Sequence, residues 1–161
     1  MEHFDQDMTP IERADVRKAA IESVKKKPGI TLVAGHGSFA SKEDDDASLT
    51  FKDVFTPADG AAYDHIIYLE KPAEMVFHQV QKDNERSRAT LSTEHLQQWM
   101  DHEKEMLEAY CLEYGIAFQV FCLDGCDDHL NLIDIIVKKV VMPACERARL
   151  KSEQALLMST C

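Results

Sequence analysis

The sequence predicts an α/β fold: three layers, with a mostly parallel sheet and helices on both of its faces. Three observations carry this reading. Short, continuous, β-branched runs stand at residues 30–35 (ITLVAG), 65–69 (HIIYL) and 116–123 (IAFQVFCL), as in strands buried on both faces. Stretches with helical spacing lie before, between and after them. The resulting order is α, β, loop, β, α, α, β, α, and such alternation predicts parallel strands joined by right-handed crossovers. A chain of 161 residues suits one domain.

The elements follow in order. Residues 1–9 are acidic and polar and are expected to be flexible. A helix over 10–26 has Pro10 in its first turn, where proline is tolerated. Its loose apolar stripe is Ile11, Ala14, Ala19 (or Val16), Ile21 and Val24. Lys25, Lys26 and Lys27 suit the negative end of the helix, and Pro28-Gly29 stops it. Residues 30–35 form the first buried strand. Residues 37–60 read as a long polar loop around Asp44, Asp45 and Asp46, with a short extended piece near 49–55. The second strand covers 65–69. Pro72 opens a helix to about Lys82, with Met75, Val76, Gln79 and Val80 on overlapping faces. After a charged turn, Ser92 or Thr93 caps a long helix to about Tyr114, with Glu94 favourable in its first turn. Leu96, Trp99, Met106 (or Glu103), Leu107 and Tyr110 give its apolar spacing, and Gly115 is its C-cap. The third strand covers 116–123, and Gly125 turns the chain. A last helix runs from about 127 past 141 with Leu130, Ile133, Val137 (or Ile136) and Val140 on one face. Pro143 should kink or break it, and the tail over 145–161 forms one more helix.

Composition limits the partners. Eighteen Lys and Arg against 29 Asp and Glu leave a net charge of −11, which repels nucleic-acid phosphates and anionic lipid. No apolar run approaches the ~20 residues needed to span a bilayer. The N-terminus, MEHFDQDMTPIERAD, has no apolar stretch of the kind a signal peptide needs. A cytoplasmic location is therefore expected. Five cysteines, an odd number confined to the C-terminal third, do not make a secreted disulfide framework and read as reduced thiols.

Several short motifs then fall in a familiar order. A strand ending in YL leads into a PAE helix, followed by an NERSR turn, a helix of pattern LS…HL..W...E and a GI.F strand. In this order they resemble the C-terminal half of P-loop kinases acting on nucleotides and small molecules, in particular a fungal ATP-binding kinase-like domain. ITLVAGHGSF resembles that family's preceding strand, and the likeness covers roughly residues 11–141. It implies a truncated P-loop-kinase-like domain with ligands at the carboxyl ends of the strands. It also implies that Arg86 and Arg88 stand where lid arginines contact transferring phosphates. The family's phosphate loop, G-x-x-x-x-G-K-S/T, is missing: none of the six glycines begins that spacing. Autonomous ATP-dependent phosphoryl transfer is therefore not expected.

Few residues carry chemistry of their own. Arg86 and Arg88, with Lys82 nearby, make a positive spot in an acidic chain, and arginine binds phosphate bidentately. The plainer reading is an exposed turn salt-bridged to Asp83 and Glu85. His36 lies between Gly35 and Gly37 at the end of the first expected strand, a position suited to acid–base work and close approach of a ligand. The plainer reading is a histidine bound to a loop carbonyl. His3, Asp5 and Asp7, like Asp44, Asp45 and Asp46, read as solvated acids, so no metal site is expected. Cys122, Cys126 and His129 form a C-x3-C-x2-H pattern, but Cys122 reads as a small core residue. Trp99 and Tyr110 read as core, and Lys138 and Lys139 as solvent-facing.

The first expectation is binding of a small phosphorylated or otherwise anionic ligand through Arg86, Arg88, Lys82, Gly35, Gly37 and His36, with Mg²⁺ only alongside a phosphorylated ligand. A second is an enzyme using His36 with Asp5, Asp64 or Glu70 as acid and base, acting for example on a diphosphate. A third is a non-catalytic module that pairs with itself, most simply a homodimer, because losing the family's first strand uncovers a sheet edge.

Overall fold

A computed structural model describes residues 9–26, 29–42, 49–82, 91–123 and 129–159. Its helices are α1 (Pro10–Lys25), α2 (Pro57–Gly60), α3 (Ala73–Lys82), α4 (Thr93–Tyr114), α5 (His129–Ile136) and α6 (Met142–Ser159). Its strands are β1 (Ser38–Lys42), β2 (Leu49–Asp53), β3 (His65–Glu70) and β4 (Ala117–Cys122). The chain divides into two compact units, Met1–Lys25 with Ala34–Asp124, and Lys26–Val33 with Gly125–Cys161.

The expected three-layer, mostly parallel sheet does not form. The described strands make two separate pairs: β1 and β2 antiparallel, β3 and β4 parallel. The run 30–35 belongs to no strand, and Ile30, Leu32 and Val33 are exposed. A β-branched composition fits a half-buried pleated surface and does not by itself supply a ladder partner. The expected polar loop over 37–60 holds a hairpin instead. LTFKD begins with an apolar–polar alternation, but SFASK has two adjacent apolar residues and no period of two, so the pair looks polar. The extended piece expected near 49–55 contains β2.

In the first unit, β3 and β4 are joined through α3 and α4, the long crossover that parallel neighbours require. Ser92 caps α4 by accepting from the His95 N–H, and Gly115 closes it at φ 68°, in the left-handed region. The core gathers between α4 and the β3–β4 pair. Phe55, Tyr68, Leu107, Cys111 and Ile116 are buried there, with Ile66, Phe118 and Val120 packed against them. Alternation along each strand puts Ile67, Leu69 and Phe121 on the opposite face.

The stripe expected on α1 does not form one buried face: Ile21 is buried, while Ile11 and Val16 are exposed. A polar tie involves the helix as well. Arg17 Nε donates to both carboxylate oxygens of the fully buried Asp59, at 3.2 and 3.0 Å. Asp59 also accepts from the Thr56 N–H at 2.8 Å and the Thr56 hydroxyl at 2.6 Å, in a capping box that starts α2.

In the second unit the helix expected from about 127 passes through Pro143 rather than breaking. The turn Val137–Val141 is π-helical, and the Met142 N–H donates to the Val137 carbonyl. A proline ring collides with the carbonyl four residues back in a regular α-helix, and a π turn before it moves that carbonyl aside. The expected stripe is partial, since Val140 is buried but Ile133 is exposed. The tail is helical to Ser159.

Asp59→Ala removes both the cap and the buried anion facing Arg17. A loss of about 3 kcal/mol in unfolding free energy is expected by urea titration. Retention of full stability would show that the Arg17–Asp59 tie contributes nothing.

Candidate functional site

Gly37 lies flat against α4. A Cβ there would fall 2.8 Å from Leu107 Cδ2 and 3.0 Å from Met106 Cε. This close packing lets Glu103, buried on the α4 stripe, reach the backbone of the loop. Its Oε1 accepts from the Gly37 N–H at 2.7 Å and the Ser38 N–H at 3.2 Å. His36 Nδ1 lies 3.5 Å from the same oxygen. One turn earlier, Trp99 Nε1 donates to the Ser38 carbonyl at 3.2 Å and the Ser38 hydroxyl at 3.1 Å. The half-exposed His36 ring stands 5.4 Å from Trp99 and 5.9 Å from Phe39. Farther along the hairpin, His102 Nε2 meets Asp53 at 2.9 Å and its ring stacks on Phe51 at 4.3 Å.

Burial opposes the charge on Glu103. The hydrogen bonds from His36, Ser38 and Gly37, together with the His36 charge, outweigh it and hold the carboxyl below its usual range. Imidazole and carboxylate thus meet as an acid–base pair would. Among the described residues the carboxylate beside His36 is Glu103 rather than the expected Asp64 or Glu70; Asp5 is outside the described residues. Glu103 is also occupied in holding the loop, so the arrangement supports a structural latch at least as well as proton transfer. In the sequence Glu103 stands as an alternative to Met106 on the apolar stripe and as the glutamate of the LS…HL..W...E pattern. A carboxylate four residues from both Trp99 and Leu107 was the signal that a buried anion would need partners.

A second cluster forms where the parallel strands end. Glu70 Oε1 receives Lys104 Nζ at 2.6 Å, and Oε2 accepts from Cys122 Sγ at 3.2 Å. The Lys104 hydrogen bond, then that of Cys122, holds the Glu70 carboxyl below its usual range. Lys104 is pushed up in turn, first by its hydrogen bond to Glu70. Cys122 is exposed, contrary to the core position expected, whereas Cys111 is buried. Beside the cluster, Asp101, Lys104, Glu105 and Glu108 line an open hollow of about 240 Å³. Three carboxylates around one already paired lysine make a poor seat for an anion.

The other expected site residues are scattered. Lys82 is exposed at the end of α3, and Gly35 has open space around its α-carbon. Arg86, Arg88, Asp83, Glu85, Cys126, His3, Asp7, the three acids at 44–46 and the His129 side chain lie outside the described residues. Trp99 is half-buried against the hairpin rather than in the main core, Tyr110 packs 4.9 Å from Phe55, and Lys138 and Lys139 are exposed. Among the described residues, no helix is long and apolar enough to cross a membrane.

Compared with known protein families, with the curated proteins and with the solved structures, the chain matches none.

Glu103 generates two predictions. Glu103→Ala strands two buried N–H groups and should cost about 2 kcal/mol by urea titration; an unchanged midpoint would refute the latch. Because folding lowers the Glu103 pKa, its pH-linked stabilisation is present above the unfolded carboxyl value of 4.5 and is lost as pH falls through the lower folded value. Melting temperature should therefore fall less steeply over that acid limb in Glu103→Gln than in the parent; parallel limbs would count against it.

Proposed function

We propose that the chain is an interaction module that completes its parallel sheet against a second copy of itself. The observation that supports this most directly is the state of the β3–β4 pair. Among the described residues it has two strands only, so neither strand has a second strand partner there. Parallel sheets are ordinarily covered on both faces. Here one face carries the core, while the other bears Ile67, Leu69 and Phe121, with Leu69 46% exposed. Strand edges and apolar surface of this kind are protected or paired in folded proteins. The expected alternatives have less support. The strand ends intended for an anion carry Glu70 and the acidic flank of α4, and the His36 imidazole meets a carboxylate engaged in holding the backbone.

Sedimentation velocity across two decades of concentration tests the proposal. A species of twice the chain mass should grow with concentration. Added salt should favour it, because it screens repulsion between two copies of charge −11. A single monomeric boundary at every concentration and salt level would overturn it.

A further inference from the structure

At the carboxyl ends of β3 and β4 the core-facing rows of side chains run out of the core. Side chains alternate along a strand, so Glu70 follows Tyr68 on β3 and Cys122 follows Val120 on β4, on the same face. Glu70 and Cys122 are register partners. Tyr68 is buried, whereas Cys122 is exposed.

Three groups meet there that neither the Glu103 latch nor self-association uses. Cys122 Sγ donates to Glu70 Oε2 at 3.2 Å, and Lys104 Nζ donates to Glu70 Oε1 at 2.6 Å. A nucleophile within hydrogen-bond reach of a base, with the base oriented by a third group, is the arrangement of an activated nucleophile. The three groups come from three elements, β4, β3 and α4, and meet where parallel strands end, the place at which α/β sheets bind ligands. The bond from Lys104 keeps Glu70 ionised and ready to receive a proton. A carboxylate so close disfavours a standing thiolate, so the proton leaves Cys122 as the new bond forms rather than before it.

The surroundings select the charge of a substrate. Lys104 also lines the hollow that holds Asp101, Glu105 and Glu108. With Lys104 paired to Glu70, those three carboxylates attract a cation. A thiol leaving group matches the attacking thiol in basicity, so one carboxylate serves both proton transfers.

We propose that Cys122 is an acyl-accepting nucleophile for small thioesters with a positively charged leaving group, with Glu70 as its base and Lys104 as a positioning residue. The Cys122 sulfur attacks the thioester carbonyl carbon, and its proton passes to Glu70 Oε2. The old carbon–sulfur bond breaks, and the departing sulfur takes the proton back from Glu70. The acyl group stays on Cys122 as a new thioester. No electrons change hands between reactants, and no co-reactant is needed.

Two probes with one acetyl group test this: acetylthiocholine, which is cationic, and S-acetylthioglycolate, which is anionic. The full chain is incubated with each, and acetyl on Cys122 is followed by peptide mass spectrometry. The cationic probe should react about tenfold faster. The Cys122 rate should stay level between about pH 8 and about pH 6, where a free cysteine peptide slows about tenfold per unit. Glu70→Gln should restore that steep slope. Lys104→Gln should move the acid end of the level region to higher pH, because Glu70 loses the bond that holds its carboxyl low. A parent rate that follows the free peptide overturns the assignment. Equal or faster reaction with the anionic probe overturns it too. Circular dichroism checks that both variants fold; if Glu70→Gln does not, the pH profile of the parent decides alone. The rates are read on the dilute chain, so a failure of self-association leaves the result standing.

Discussion

The first unit is organised around a carboxylate placed where a carboxylate is costly. Glu103 sits on the stripe of α4 that otherwise buries Leu96, Leu107 and Cys111. An uncompensated anion there would be neutralised or would push the helix off its core. Two backbone N–H groups and the His36 imidazole make the charged form the stable one. The same bonds fix Gly37 against Leu107 and set Ser38, fully buried, under the Trp99 indole. The hairpin is thus seated by one turn of α4, from Trp99 to Glu103, with His102 and Asp53 adding a farther tie.

The same helix serves the parallel pair from its other residues. Lys104, next to Glu103, reaches Glu70 at the end of β3, and Tyr68 donates its phenol to the Met100 carbonyl at 3.0 Å. Burial, then the charges of Glu103, Glu70 and Asp101, pushes the Tyr68 phenol up, so it remains a neutral donor. Both pairs of strands therefore take their position from α4. This dependence explains how two small sheets persist without pairing with each other. A two-stranded sheet is marginal in water, but packing against a helix supplies the missing burial.

What the sequence made legible was local. The caps at Ser92 and Gly115, the strands at 65–70 and 117–122, and the helices on either side follow from capping chemistry and hydrophobic spacing. What it hid was partnership. The 30–35 run has the composition of a buried strand, and only a ladder would make it one. The hairpin was hidden for the opposite reason, because SFASK lacks a period of two and both strands look polar beside three consecutive aspartates. His36 stood out between two glycines, but its partner lies 67 residues away on a helix face read as apolar. Long-range pairing of a charge with a loop backbone leaves no periodic trace. Glu103 shows itself only as an irregularity in a stripe.

Net charge links the site to the proposed mode of action. An excess of 11 acidic groups disfavours phosphates and acidic lipids, and it also disfavours a second copy of the same chain. Such a chain associates with itself only where its own charges are absent. α4 presents Asp101, Glu105 and Glu108 outward, and the hairpin strands carry lysine and aspartate. β4 is the described strand that carries no Asp, Glu, Lys, Arg or His. On that argument, repulsion elsewhere does more than keep copies apart. It removes competing registers and contacts, so the uncharged strand need not be strong to be the preferred one.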